Sequence, residues 1–373
     1  MLEDFVLPKP NKSRVRKQGS SLAVAMIVRN EARCITRCLE SVRPWVDTMV
    51  VLDTGSTDET KELARNAGAL VHEMAWTGSF SEARNRSLEL ADADWNLIVD
   101  ADEWIQSGGD TLRRWCQTPN RLGSVCVHSS CMMSRGRDGE KVPSETLNWI
   151  TRVLPRGARF ERRVHEQVAS DLIRTRTEVH LGHDGYLDAQ MVNKKGRNRK
   201  LLLLDLKDRP GDPYILYQLG KEAESRQDYR KACRFYQQSL ATSHDRANWK
   251  HSLVIRYLFC LGQCGQFDTA FAYIQQNMQR WEHSPDFFYM VGNLALDQAK
   301  ADQVNALSEW IPLAVTAWGR CLEIGDQPSL EGSVDGVGSY LAETNLDAIG
   351  SALGVGGNFR AMSRRSDPIG IAL

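Results

Sequence analysis

The chain has 373 residues, 42% hydrophobic and 25% charged, which is a globular composition with length enough for two cores. Lys plus Arg and Asp plus Glu both total 47, so no net field points to nucleic acid or to an anionic membrane as partner. The longest apolar runs, such as Leu201–Leu204, fall far short of the roughly 20 residues of a membrane span.

Residues 1–20 read as a flexible segment. Glu3, Asp4, Pro8 and Pro10 precede four basic residues between Lys12 and Lys17, without the apolar core of a secretory signal. Nine cysteines, an odd number spread over both halves, suit reduced thiols in a cytoplasmic protein better than a disulfide framework. Cys34/Cys38 and Cys260/Cys264 have one-turn helical spacing without a local His partner, and read as packing residues.

From Leu22 the pattern alternates. Leu22–Val28 is a buried-strand candidate, followed by a helix through Ile35, Leu39 and Val42 that stops at Pro44. Thr48–Asp53 is a second strand, a helix over Asp58–Ala67 ends at Gly68, and Ala69–His72 is a third strand. Ser79-x-x-Glu82 has the form of a capping box opening a helix to about Ala91, and Trp95–Asp100 is a fourth strand. Strands alternating with helices predict a mostly parallel α/β sheet with ligands at the carboxyl ends of its strands. Val125–Met132, Trp149–Leu154 and Thr177–Leu181 are placed as a mixed extension of that sheet.

Beyond about residue 198 the pattern is helix only. Leu216-x2-Leu219-Gly220-x2-Ala223 with Ala232-x3-Tyr236 follows tetratricopeptide-repeat spacing, in which small residues let two helices approach closely. Weaker copies at Tyr257–Ile274 and Phe288–Trp318 put positions 220, 258 and 292 in register, at periods of 38 and 34. The third copy carries about ten extra residues between its helices, and a Gly-rich loop over Gly325–Gly338 precedes a last helix near Tyr340–Ile349. The expected organisation is therefore 1–20 flexible, 21–197 α/β, 198–350 helical repeat and 351–373 a loose tail.

The chemistry gathers at strand ends. Ile98-Val99-Asp100-Ala101-Asp102-Glu103 delivers two carboxylates one residue apart, hard oxygen ligands suited to Mg²⁺ or Mn²⁺ bound together with substrate phosphates. A solvated acidic turn explains the same residues taken alone. Asp53 ends an earlier strand before Gly55-Ser56-Thr57-Asp58. Turn and N-cap chemistry accounts for Ser56 and Asp58 but not for Asp53, which is suited to accept the imide N–H of a uracil. Asn30 and Glu31 follow the first strand, so three strands present acids at one sheet edge.

A first strand followed by Arg29-Asn30-Glu31, then Leu52-Asp53-x-Gly55-Ser56-Thr57-Asp58, then Asp100-Ala101-Asp102-Glu103 resembles glycosyltransferase family 2, of GT-A fold. Trp76 followed by Phe80-x-x-Ala83-Arg84-Asn85 is similar to a branch with C-terminal tetratricopeptide repeats that includes peptide S-glycosyltransferases of the SunS type. Arg163-Val164-His165-Glu166 and His183-Asp184-Gly185-Tyr186 extend the likeness, which covers roughly residues 20–345.

The resemblance implies an inverting transfer of a hexose or N-acetylhexosamine from a UDP-linked sugar with Mg²⁺ or Mn²⁺. It casts Asp53 as the uridine-binding acid, Asn30, Glu31 and Ser56 as part of the nucleotide shelf, and Asp100 and Asp102 as holders of metal and donor. Arg84 and Asn85 would lie in the donor cleft, with a surface ion pair to Glu82 or Glu89 as the plain alternative for Arg84. Thr54 stands where many members have a second acid. His183 is a candidate third metal ligand or a hydrogen-bonded turn residue. Glu166 is the candidate base, Glu103 its rival, and His165 a group that orients the base.

Three functions follow. A peptide or protein acceptor comes first, because tetratricopeptide grooves hold peptides. A lipid-linked glycan of surface-polysaccharide assembly is the second, thinly supported by Lys12–Lys17. An inactive repeat scaffold is the third, opposed by the intact Asp53, Asp100 and Asp102. A homodimer through the helical part is compatible with the pattern, although no residue signals it.

Overall fold

The computed structural model describes residues 20–135, 140–183, 188–245 and 247–354. The chain divides into two compact units, one ending at Lys194 and the other starting at Lys195. The Lys12–Lys17 cluster, the tail beyond residue 354 and the expected Asp184-Gly185-Tyr186 turn lie outside the described residues. No helix among the described residues is long and apolar enough to cross a membrane.

In the first unit the strands are β1 (Leu22–Val28), β2 (Thr48–Asp53), β3 (Leu70–Glu73), β4 (Trp95–Ile98), β5 (Glu103–Ser107), β6 (Arg121–Arg135), β7 (Glu140–Pro155), β8 (Arg159–Glu161), β9 (Gln167–Ala169) and β10 (Ile173–His183). The helices are α1 (Ile35–Val42), α2 (Thr60–Asn66), α3 (Phe80–Ala91) and α4 (Leu112–Trp115). Eight strands form one sheet in the order β3-β2-β1-β4-β7-β6-β10-β5, and β8 pairs with β9 separately. The first four strands are parallel, whereas β7 runs antiparallel to both β4 and β6, giving the mixed extension expected.

Both faces of β1 are covered. Val24, Met26 and Val28 pack with Ile35, Cys38, Leu39 and Val42 of α1, while Ala25 packs on the other face with Leu88 of α3. That is why β1 reads as an unbroken apolar run rather than an alternating one. Ser79 caps α3 by accepting from the Glu82 amide at 3.3 Å. The Glu82 carboxylate turns instead to the Thr77 hydroxyl at 2.7 Å, so only half of the expected capping box forms. β4 ends at Ile98, two residues before the apolar-to-acidic switch, and residues 99–102 turn the chain toward β5, an edge strand the sequence pattern did not signal.

α5 (Asp188–Asp208) begins before the division and runs into the second unit, which is helical: α6 (Pro213–Glu224), α7 (Tyr229–Thr242), α8 (Lys250–Gln263), α9 (Phe267–Asn277), α10 (Pro285–Ala301), α11 (Ile311–Ile324) and α12 (Tyr340–Ala352) follow. The pairs α6/α7, α8/α9 and α10/α11 are the three expected repeats. Gly220 lies against the Tyr236 ring and Gly292 against the Trp318 indole, where any Cβ would overlap the aromatic side chain. The insertion in the third repeat holds one π-helical turn, Ala306–Trp310. Trp249 stacks on Tyr217 at 5.2 Å and Trp310 on Phe271 at 5.2 Å, so these indoles serve packing. None of the eight described cysteines is in a disulfide.

Candidate active site

The carboxyl ends of β1 and β2 are laced together by short polar side chains. Asn30 adopts φ 58°, and its side-chain oxygen accepts from the Thr57 amide at 2.8 Å. The Ser56 hydroxyl accepts from the Asn30 amide at 2.8 Å, Thr60 from the Glu31 amide at 2.8 Å, and Asp58 from the Ala32 amide at 3.2 Å. These residues hold the shelf by fixing backbone. Thr54, in the position of the family's second acid, is buried and donates its hydroxyl to the Val28 carbonyl at 3.0 Å.

Asp53 is 1% exposed. Its Oδ1 accepts from the Gly55 and Ser56 amides at 2.9 and 2.8 Å, a tight reversal permitted by Gly55 at φ 110°. Its Oδ2 is buried with no hydrogen-bond partner among the described residues. A carboxylate oxygen left in that state carries a desolvation cost on the order of 1–3 kcal/mol, which a donor such as an imide N–H would relieve.

At the end of β4, Asp100 is held by two arginines. Arg84 donates to Oδ1 and Arg152 to Oδ2, each at 2.7 Å. Arg84 also donates from Nε to Glu166 at 2.6 Å, and Arg152 to Glu103 at 2.8 Å. Arg84 is thus a buried bridge between the Asp-x-Asp turn and Glu166. Neither expected surface partner engages it: Glu82 is bonded to Thr77, and Glu89 pairs with Arg86 and Arg159. Arg84 Nη1 and Arg152 Nε are buried donors with no partner among the described residues.

This arrangement redistributes the expected metal set. Both oxygens of Asp100 are spent on guanidinium groups, whereas Asp102 lies with His183 Nε2 at 3.4 Å. His183 is oriented from behind by the Ser129 hydroxyl, 3.1 Å from Nδ1, which leaves Nε2 directed to the carboxylate. A carboxylate and an imidazole converging in this way are suitable donors for Mn²⁺. Glu103, the rival base, is 3% exposed. One of its oxygens accepts from Arg152 and the other from the Asp100 amide at 2.9 Å, so it buttresses the Asp-x-Asp turn.

Asn85 differs from expectation in a similar way. Its amide group donates to the Phe160 carbonyl at 2.9 Å and accepts from the Phe160 amide at 2.8 Å, using both ends of the side chain to clamp β8 onto α3. The Phe80 amide donates to the Arg163 carbonyl at 2.8 Å, fastening the same hairpin to the start of α3. Between β8 and β9, Arg162 and His165 adopt φ 74° and 51°, backbone that non-glycine residues rarely take. The clamp over-determines this loop, and the loop delivers Glu166 to Arg84.

Charge coupling follows the contacts. Burial alone would raise the pKa of Asp100, but Arg152 and Arg84 outweigh it and hold the carboxyl far below the usual range. Burial pushes Glu103 up to about 7 despite Arg152, with the Asp100 charge adding to the rise. Burial disfavours a charged His183, yet the hydrogen bond and charge of Asp102 raise its pKa. Arg152 is the residue that sequence reasoning missed. Its signal was an arginine set inside the apolar strand Ile150-Thr151-Arg152-Val153-Leu154, since a buried arginine implies acids to meet it.

Residues 23–167 match the model of the glycosyl transferase family 2 family. A TPR repeat-containing protein of Synechococcus elongatus is 29% identical over 274 residues, covering 70% of this chain and 66% of that protein. The SPbeta prophage-derived glycosyltransferase SunS of Bacillus subtilis is 33% identical over 84 residues, 22% of this chain and 20% of its own. This chain thus spans just under two thirds of the first relative and a fifth of the second. A solved glucosyl-3-phosphoglycerate synthase from Mycobacterium tuberculosis, in complex with Mn²⁺, UDP and glucosyl-3-phosphoglycerate, is 24% identical over 30% of this chain and 44% of its own, with a TM-score of 0.25. The stretch that matches the glycosyl transferase family 2 model thus runs from β1 to the start of β9, on a mixed sheet that delivers its acids at the strand ends, and tetratricopeptide-like helices follow it.

Proposed function

We propose that the chain is a metal-dependent inverting glycosyltransferase that moves a hexose or N-acetylhexosamine from a UDP-linked sugar to a peptide or protein acceptor. The observation that carries the reading is Asp53: a buried carboxylate with one oxygen committed to the turn and the other lacking a donor, at the end of β2 beside Asn30 and Glu31. A uracil imide supplies the missing N–H.

Asp102 and His183 are the residues that would hold Mn²⁺ or Mg²⁺, with Asp100 joining if its arginines turn to phosphate. The cation would supply Lewis-acid neutralisation of the leaving diphosphate. Arg84 and Arg152 each keep a buried N–H without a partner, and are suited to meet anionic oxygens at this edge. Glu166 is the preferred base. It is half-buried, and Arg84 Nε holds its carboxyl group in place, oriented for the acceptor's proton. His165, next to it in the strained loop, sets the direction of the Glu166 backbone. The helical repeats favour a peptide acceptor over a lipid-linked glycan.

A donor screen tests this. Thermal stability is followed with Mn²⁺ and UDP, GDP, dTDP or CMP, in wild type and Asp102→Ala. Stabilisation by UDP that needs Mn²⁺ and disappears in the variant supports the reading, since a ligand of the native state stabilises by mass action. No shift with any nucleotide, in a folded sample, returns the protein to the scaffold reading.

A further inference from the structure

Cys126, His128 and His180 form a second cluster of ligand-type side chains, apart from the donor site. Their sulfur and ring nitrogens all lie within 4.8 Å of one another. Cys126 and His128 are two residues apart on β6 and so share a face of the sheet, while His180 is the parallel cross-strand partner of Cys126 on β10. The β10 ladder shifts register on both sides of His180, the signature of a bulge that re-aims a side chain. Ser129, which orients His183, is one residue from His128 and therefore points to the opposite face. The two groups are separate.

We propose that Cys126, His128 and His180 form a thiolate–bis-imidazole site for Zn²⁺. His128 Nε2 and His180 Nδ1 lie 2.7 Å apart, so the two rings aim lone pairs at one point and share a proton there. A cation replaces that proton, with the buried Cys126 sulfur as third ligand. One sulfur and two nitrogens match zinc, a borderline-soft ion bound by Cys and His, and three protein ligands leave a fourth position for water. Binding releases the thiol proton to solvent, and the proton between the rings shifts to the other nitrogen of its own imidazole, so both histidines bind neutral.

The surroundings suit an ion as well. Trp149 on β7 is the other cross-strand partner of Cys126, and its ring meets the His180 ring at 6.3 Å. Arg176 lies over the Trp149 face at 4.5 Å. The indole walls one side of the cluster with apolar surface, and a low local dielectric strengthens attraction between thiolate and cation. The ion would tie β6 to β10 near Ser129, midway along β6, and His183, the last residue of β10.

Cobalt substitution tests the site. Metal-free protein is titrated with Co²⁺, and the near-ultraviolet thiolate-to-metal charge-transfer band is read along with the visible bands. The expected result is saturation at one Co²⁺ per chain with a charge-transfer band, displaced by Zn²⁺. The band should be lost in Cys126→Ser, weakened at least tenfold in affinity by His180→Ala, and retained in Asp102→Ala. X-ray absorption of the wild-type zinc form reads the ligands without a variant. It should give one sulfur near 2.3 Å and two nitrogens near roughly 2.0–2.1 Å. Absence of a thiolate band in wild type, its survival in folded Cys126→Ser, or an all-oxygen zinc shell overturns the proposal.

Discussion

Arg84 and Asp100 are joined by a 2.7 Å bond from Nη2 to Oδ1, and the same guanidinium holds Glu166 through Nε at 2.6 Å. The Arg84 and Glu166 side chains are 8% and 14% exposed, so that arm of the bridge is shielded from bulk water, whereas Asp100 is 36% exposed and also keeps Arg152. Removing one partner of a buried pair leaves an uncompensated charge and costs about 3–5 kcal/mol. Arg84→Met is expected to lower unfolding free energy by that order, measured by urea titration. Arg84→Lys should restore part of the stability but not transferase activity, because one ammonium cannot reproduce the fork that meets both acids. Equal stability of wild type and Arg84→Met would show the bridge to be a minor contact.

Asp53→Asn separates the two jobs of one carboxylate. The Asn side-chain oxygen can still accept from Gly55 and Ser56, so the melting temperature should move little. The second position becomes an NH₂ facing the proposed imide donor. UDP affinity is then expected to fall by about 1.5–3 kcal/mol, the worth of a hydrogen bond to a charged group, as read by calorimetry. Unchanged UDP binding would remove Asp53 from the base contact.

Asn85→Ala removes two hydrogen bonds to the Phe160 backbone and leaves that backbone partly unsatisfied. A loss of about 1–3 kcal/mol in stability is expected. At saturating donor the variant should lose turnover, because the loop carrying Glu166 is released, while UDP affinity stays within twofold. A large loss of UDP affinity with normal stability would instead put Asn85 in direct contact with the donor.

Gly220→Ala and Gly292→Ala test the repeats. Each new methyl meets an aromatic ring, Tyr236 or Trp318, that is itself fully buried and cannot retreat. Overpacking of this kind costs about 1–3 kcal/mol. Thermal unfolding of each variant checks it, and a control Gly211→Asn, at φ 79° with open space around it, should be much milder.

Lys221 supplies a pH dependence. Burial, with Arg256 adding repulsion, pushes its pKa down to about 8 in the folded chain. The unfolded value is about 10.4. Between these values the unfolded state binds more protons, so this residue makes stability rise as pH goes from about 8 to about 10.4. Below pH 8 the cost of the charged side chain is fully present. Lys221→Met should therefore stabilise the protein at pH 7, on the order of 1 kcal/mol after allowing for partial exposure. The gain should shrink as pH rises, and a difference between wild type and variant that is flat with pH would contradict the assignment.

The sequence by itself determined what is local or periodic. β1 and β2 have the expected bounds because crossover helices cover both of their faces, which makes each strand a continuous apolar run with a polar stop. The acids at Asp53, Asp100 and Asp102 were legible because each directly follows such a run, and Gly220 and Gly292 because close helix approach requires the absence of a Cβ at a fixed period. Tertiary structure alone decided how side-chain valences are spent. That Asp100 would be saturated by Arg84 and Arg152, that Asn85 would clamp Phe160, and that Glu103 would turn inward to Arg152 all depend on partners 16 to 75 positions away in sequence. Cys126, His128 and His180 likewise sit on two strands 52 residues apart, from His128 to His180, and only the parallel pairing of β6 with β10 brings them together. Hydrophobic period is written along the chain, whereas the pairing of buried polar groups is settled by which strands become neighbours.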